Sequence, residues 1–461
     1  MNKVLKYLSP FAENLKRKFE DECEEFSASE GFRSRRSEGR RYPEHKLGGA
    51  SFLLFLLVFP FGQLLRIDLT SIIPGVKIQP IDLSAFLFVV FWVCKKIAKK
   101  EKFVFLPFSR ELIVFGFIAF LSLIFQVGRL KSEEFLGSFF YFLRLANFIA
   151  FFFATTEILE KENLNIFLYL IVEGVAIALF SLLQYLFLPD TRFLFYLGWD
   201  EHYFRAIGSF LDPGFTGLLL VLAFLIWVIG LNTHKGKKKY LYWLAGFILL
   251  LAIGLTFSRL AYISLLAGLA SMFLVDKKRR LYLLTGLILL MIIFFLPKPG
   301  GEGVNLFRRS SFIARSGAYQ QSFSIIKDHF FTGVGYNAYR YSQRDYGFIP
   351  EENWQTTNAG AGTDNSFLFV LATTGIFGLL AYLFFWLKCL CLGFRNSTKN
   401  KSSLILFANM ISLSVSAFVI NSFFYPWIMG WMAILLAKFI VDNEGSTEVR
   451  SCFVPDPDKQ S

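Results

Sequence analysis

Residues 255–264 read "LTFSRLAYIS", an arginine set between two stretches with the composition of lipid-facing helix. Moving a guanidinium into hydrocarbon is costly, so Arg259 lies either outside the bilayer core or beside an anion. The flanks decide between the two. "HKGKKK" (234–239) and "DKKRR" (276–280) close the apolar stretch at both ends, and short Lys/Arg clusters mark the cytoplasmic side of a membrane protein. The chain therefore leaves one side and returns to it. Residues 240–275 extend roughly 54 Å as helix, too long for one crossing and enough for two in a thinned or tilted arrangement. Arg259, near the midpoint, is expected at the tip of a hairpin on the outer face.

The same pattern spreads outward over the chain. Of 461 residues, 54% are hydrophobic, 58 are Phe and only 18% are charged, where a soluble protein carries about 25% charge. Apolar runs long enough to span a bilayer recur throughout, and an all-α polytopic membrane protein is expected. About twelve transmembrane helices are read, near 47–65, 80–98, 110–127, 135–155, 163–188, 213–231, 240–257, 260–275, 281–297, 365–387, 403–422 and 424–441. "KKIAKKEK" (95–102) and "FRNSTKNK" (394–401) join the two earlier clusters on the cytoplasmic side, with both termini inside. Cys23, Cys94, Cys389, Cys391 and Cys452 all fall on that reducing side, so no disulfide is expected. Residues 1–46 read as a charged cytoplasmic tail without a signal peptide, and 442–461 as a second tail. Residues 47–297 hold helices one to nine, 298–364 form a long extracytoplasmic loop with short helices, and 365–441 hold the last three. The net charge of +13 lies in interhelical clusters rather than on one face, and no nucleic-acid motif accompanies it.

Polar chemistry concentrates at the outer mouth. Arg205 ("RAIGSFLDPG"), Arg259 and Arg315 ("IARSGAY") each adjoin an apolar run. Their planar forks suit a diphosphate, which accepts paired, charge-assisted hydrogen bonds. An arginine at a membrane boundary is commonly a headgroup anchor, yet anchors favour the inner face, and Arg308, Arg309 and Arg315 cluster outside. Asp364, at the start of the tenth span, reads as a helix N-cap or a site residue, and the roles are compatible. "WDEHYF" (199–204) offers Asp200, Glu201 and His202 as a weak metal corner; no second ligand set joins it and no metal is expected. In "ARSGAYQQSFSIIKD", Tyr319, Phe323 and Ile326 share a helical face, predicted to lie on the membrane or the bundle. Arg144 and Glu173 are the main ionisable exceptions within spans. No Walker motif, dinucleotide fingerprint or HExxH is present.

Four segments, "RAIGSFLDPGFTGLLL", "LTFSRLAYISLLAG", "RSGAYQQSFSIIKDHFFTGVGYNAY" and "TDNSFLFVLATTGIFGLLAY", occur in that order. Together they resemble the O-antigen ligase and O-antigen polymerase family of bacterial surface-glycan enzymes, best over about residues 200–390. The resemblance implies a C-type glycosyltransferase architecture in the bacterial inner membrane and an undecaprenyl-diphosphate-linked glycan donor. The acceptor is then a growing polysaccharide or lipid-linked core, and no cofactor is needed. It implies that Arg205, Arg259 and Arg315 hold the diphosphate. A histidine begins the span after the long loop in the ligases and activates the acceptor hydroxyl; Asp364 stands there in this chain, followed by Asn365. Polymerase-type relatives are therefore as close a reading as ligases. Asp364 is the expected base of a metal-independent, inverting transfer, with Asn365 and His329 in support. A protein acceptor would make the chain an oligosaccharyltransferase. A flippase or a non-catalytic scaffold are the rivals from other classes, and a flippase needs ionisable groups throughout the bilayer depth.

Overall fold

The computed structural model describes residues 45–443, apart from 74, 163, 232–235, 297–298, 300–303, 306–309 and 351–361. The tails at 1–44 and 444–461, Cys23, Cys452, Arg308 and Arg309 lie outside the described residues.

The apolar runs become helices. They are α1 (His45–Val58), α2 (Pro80–Ala98), α3 (Ser109–Ile124), α4 (Ser132–Lys161), α5 (Ile166–Phe187), α6 (Pro213–Gly230), α7 (Lys237–Leu255), α8 (Arg259–Val275) and α9 (Arg279–Phe295). After the long loop come α12 (Ser366–Asn396), α13 (Lys401–Ala417) and α14 (Pro426–Asn443). The loop itself carries α10 (Ser310–Asp328) and α11 (Tyr339–Asp345). Among the described residues, five helices, α4 to α7 and α12, are long and apolar enough to cross a membrane, while Gly49–Leu65, α8 and α13 are apolar but shorter. The chain is thus an all-α membrane protein. One small exception lies between α1 and α2, where β1 (Ile67–Asp68) pairs antiparallel with β2 (Lys77–Ile78).

Helix α6 sits at the centre. It is apolar on every side, as a helix surrounded by other helices must be, and its residues from Thr216 to Ile229 are buried. It packs on α5, α7, α8 and α13. The Phe-rich composition builds the adjoining layer: Phe55 of α1 meets Phe151 of α4 with ring centroids 4.4 Å apart, and Phe88 of α2 meets Phe151 at 5.5 Å.

Successive helices alternate direction, so the connections sort into two ends. At one, the loop end, Ser209 Oγ donates to the Pro60 carbonyl at 2.6 Å, Trp427 Nε1 to Phe59 at 2.9 Å, and the Ala206 amide to Leu255 at 2.8 Å. At the other, Asn400 meets Asn443 at 2.7 Å, and Lys96 pairs with Glu157 at 2.7 Å.

The long loop is anchored in a break of α12. Gly375 has φ +68 within the helix, and a Cβ there would lie 2.1 Å from the Phe331 carbonyl oxygen. Breaking the ladder leaves backbone groups needing new partners. The segment 330–335 supplies them: the Val334 amide donates to Ala372, Gly335 to Thr373, and the Ile376 amide to Phe330, at 2.9, 3.0 and 2.9 Å.

Helix α10 departs from expectation. Its buried residues are Ser322, Ile325 and Ile326, whereas Phe323 is exposed. Ile325 and Ile326 join a small core with Val334, Tyr339, Phe369 and Ala372. The docking face is thus set by contact with α11 and α12, rotated from the Tyr319/Phe323/Ile326 stripe. Arg144 finds Asp82 at 2.5 Å, and Glu173 is buried on α5.

Candidate functional site

The chain reverses between α7 and α8 at residues 256–258, and Ser258 caps α8 by accepting from the Ala261 amide. Arg259 is therefore the first helical residue. Beneath the turn lies Arg205, nearly buried, whose Nε donates to the Thr256 carbonyl at 3.0 Å and whose Nη2 donates to Phe257 at 3.3 Å. One face of the Arg205 fork thus holds the turn that presents Arg259. Arg315 approaches from α10, close enough for its charge to oppose that of Arg259.

Asp364 lies near Arg315. It does not cap α12: Asn365 does, its Oδ1 accepting from Phe367 and Leu368 amides at 2.8 and 3.0 Å. The N-cap reading of Asp364 is corrected accordingly, and its carboxylate is left to the loop side. Tyr319, one turn beyond Arg315 on α10, donates its hydroxyl to the Phe418 carbonyl and accepts from Asn365 Nδ2 at 3.5 Å. Residues four apart share a helical face, so this tether brings Arg315 to the mouth of α12.

Two further carboxylates belong to the group. Asp212, N-cap of α6, accepts from the Phe215 amide at 2.7 Å, and Arg205 and Arg315 both act on it. Asp200 is exposed at the surface yet enclosed on most sides, within reach of Asp212, Asp364 and Arg205. All three acids are held above the usual carboxylate range, by desolvation first in each. At Asp364, desolvation outweighs the opposing pull of Arg315, and Asp212 adds to the rise. The balance makes it a better proton acceptor than a solvated aspartate.

The backbone is strained at the same place. Phe204, Leu211 and Phe257 have φ of +50, +57 and +46, a region bulky residues rarely occupy. Phe204 and Leu211 immediately precede Arg205 and Asp212, and Phe257 lies two before Arg259. Such strain persists where surrounding structure enforces it, commonly at functional sites.

The structure thus brings together Arg205, Arg259, Arg315 and Asp364, with Asn365 beside them as a cap. His329 lies elsewhere, at the end of α10, where burial and then the charge of Arg129 lower its pKa. Among the described residues, Asp200, Glu201 and His202 form no cluster of three groups able to hold a metal. Sequence reasoning passed over Asp212, although Asp-Pro-Gly opening an apolar run is a helix-start signature.

Residues 244–383 match the O-antigen ligase family. Three of the four motifs that carried the resemblance lie within that segment, and the match supports it. The matched segment contains Arg259, Arg315, Asp364 and Asn365 and stops short of Arg205 and Asp212. No curated protein matches the chain. An O-antigen ligase family match supports an enzyme acting on glycans in a membrane setting.

Proposed function

We propose that this chain is an inverting, metal-independent membrane glycosyltransferase. It moves a glycan from an undecaprenyl-diphosphate-linked donor to the hydroxyl of a growing polysaccharide or a lipid-linked core. All twelve apolar helices cross the bacterial inner membrane, with both termini in the cytoplasm and the loop end outside. The observation carrying this reading is that Arg315 lies close both to Arg259 and to the Asp364 carboxylate, whose pKa burial raises.

Like charges held together in a desolvated mouth favour an anion between them. A diphosphate suits two guanidinium forks. The acceptor hydroxyl attacks the anomeric carbon, its proton passing to Asp364 as the new carbon–oxygen bond forms. The bond to the lipid diphosphate breaks and its electron pair stays on the departing oxygen. Arg259 and Arg315 stabilise the charge that grows there, the setting in which fixed electrostatics act most strongly. Arg205 holds the turn that aims Arg259 and adds positive field.

The test is reconstitution of the purified chain with a lipid-diphosphate glycan and an acceptor. Release of lipid diphosphate together with a glycosylated acceptor supports the reading; transbilayer movement of an intact donor, without release, sinks it in favour of a flippase.

A further inference from the structure

A second group of three cations lies at the loop end, outside the candidate site. Arg66 follows α1, Lys77 sits on β2 and Arg340 comes from α11. They share one neighbourhood: Arg340 Nη1 lies 3.9 Å from where a Cβ would stand at Gly75, two residues before Lys77, and the Lys77 ammonium is pushed down to about 8 by burial first and then by Arg66 and Arg340. Asp68, half-exposed, answers them at 3.9 Å from Arg66 and 4.0 Å from Lys77.

The cations are held in place. Arg66 lies over the Trp199 ring, 5.0 Å from its centroid. Arg144, locked to Asp82, donates to the Lys77 carbonyl at 2.8 Å, and the Tyr141 hydroxyl donates to Gly75 at 3.0 Å. Arg344, four residues after Arg340, is tied to Glu134 at 2.6 Å.

Around these charges the surface is apolar. Leu64, Leu65, Ile67 and Ile72 are exposed, Ile72 at 74%. Apolar side chains next to ordered cations match the boundary of a bilayer, where the former enter the acyl region and the latter meet headgroups. A site for free phosphate would have no use for that rim. Tyr425 adjoins both this group and the candidate site: Arg66 and Asp212 both act on it, and it stacks on Phe215 with centroids 4.1 Å apart.

We propose that Arg66, Lys77 and Arg340 bind the phosphate of an anionic membrane lipid whose acyl region covers the exposed residues of the 64–72 segment. The inference rests on the membrane placement proposed above and is independent of the transfer reaction. The test titrates the full-length chain in detergent with phosphatidylglycerol and counts retained lipid by native mass spectrometry. Lys77→Gln and Arg340→Gln are each expected to weaken retention roughly fivefold, the scale of one basic residue at a charged membrane surface. Asp68→Asn, which removes the competing carboxylate and keeps all three cations, is expected to tighten it. Arg259→Gln is expected to bind lipid as the wild type does while losing diphosphate release, which separates this inference from the transfer reading. Equal retention of phosphatidylcholine, displacement by inorganic phosphate, or an Asp68→Asn protein with unchanged affinity would overturn the proposal. Should the two cation-removing variants fail to fold, Asp68→Asn alone decides.

Discussion

The candidate site and the far end of the bundle handle charge differently. Away from the loops, cations and carboxylates close into direct pairs: Lys388 with Glu111 at 2.5 Å, Lys96 with Glu157 at 2.7 Å, and Lys161 with Glu157 at 2.6 Å. At the candidate site, Asp200, Asp212 and Asp364 lie near arginines, and burial raises their pKa values against the pull of those charges. No ion pair joins Arg315 to Asp364 among the described contacts. A close pair holds helices together; charges that act across a gap can also act on something that enters it. The contrast separates structural charge from charge kept for a ligand.

The largest effects should come from removing the arginines of the site. Arg259→Ala and Arg315→Ala are each expected to cut transfer by about 10²–10³-fold, the scale of losing one charge-stabilising donor, with helicity by circular dichroism unchanged. Arg259→Lys should also be impaired, because an ammonium lacks the fork. Wild-type expression with wild-type turnover in all three would erase the distinction between the ends.

Asp364→Asn should reduce turnover by about 10²-fold or more, as expected for a lost general base. The pH profile sharpens this. The base must be ionised, so activity falls as pH drops through its pKa. Because burial raises that pKa, the acid limb should lie above the ordinary aspartate value of about 4. Asp364→His should move the limb toward about 6.5, and a profile indifferent to this exchange counts against Asp364 as the base.

At the paired end the expectation inverts. Glu111→Gln leaves Lys388 without its carboxylate and should lower stability by about 3 kcal/mol, read as a lower melting temperature, with turnover per folded molecule retained. The smallest effect expected is none: EDTA should leave transfer unchanged. Loss of activity that added Mg²⁺ or Mn²⁺ restores would reassign the role given to the arginines.

Much of this was legible in the sequence because membranes impose length and polarity on each segment separately. "HKGKKK" and "DKKRR" alone located the α7–α8 reversal and put Arg259 beside it. What periodicity does not carry is contact between distant segments. Nothing local to "FRAIG" says that Arg205 will grip the carbonyls of Thr256 and Phe257, or that Phe204 will take positive φ. The identity of the α12 cap was hidden for a smaller reason: Asp364 and Asn365 are both good N-caps, and one residue of register decides which is left for chemistry. The hairpin at residues 67–78 was missed although Pro-Gly between β-branched residues is a turn signal, because attention to long apolar runs passes over a two-residue strand.

The break at Gly375 has a mechanical corollary. Segment 330–335 is hydrogen-bonded on both sides of the break, to Ala372 and Thr373 before it and to Ile376 after it, so the long loop is clamped to α12 rather than hung from it. A methyl group at Gly375 would push against the Phe331 carbonyl oxygen and loosen that clamp.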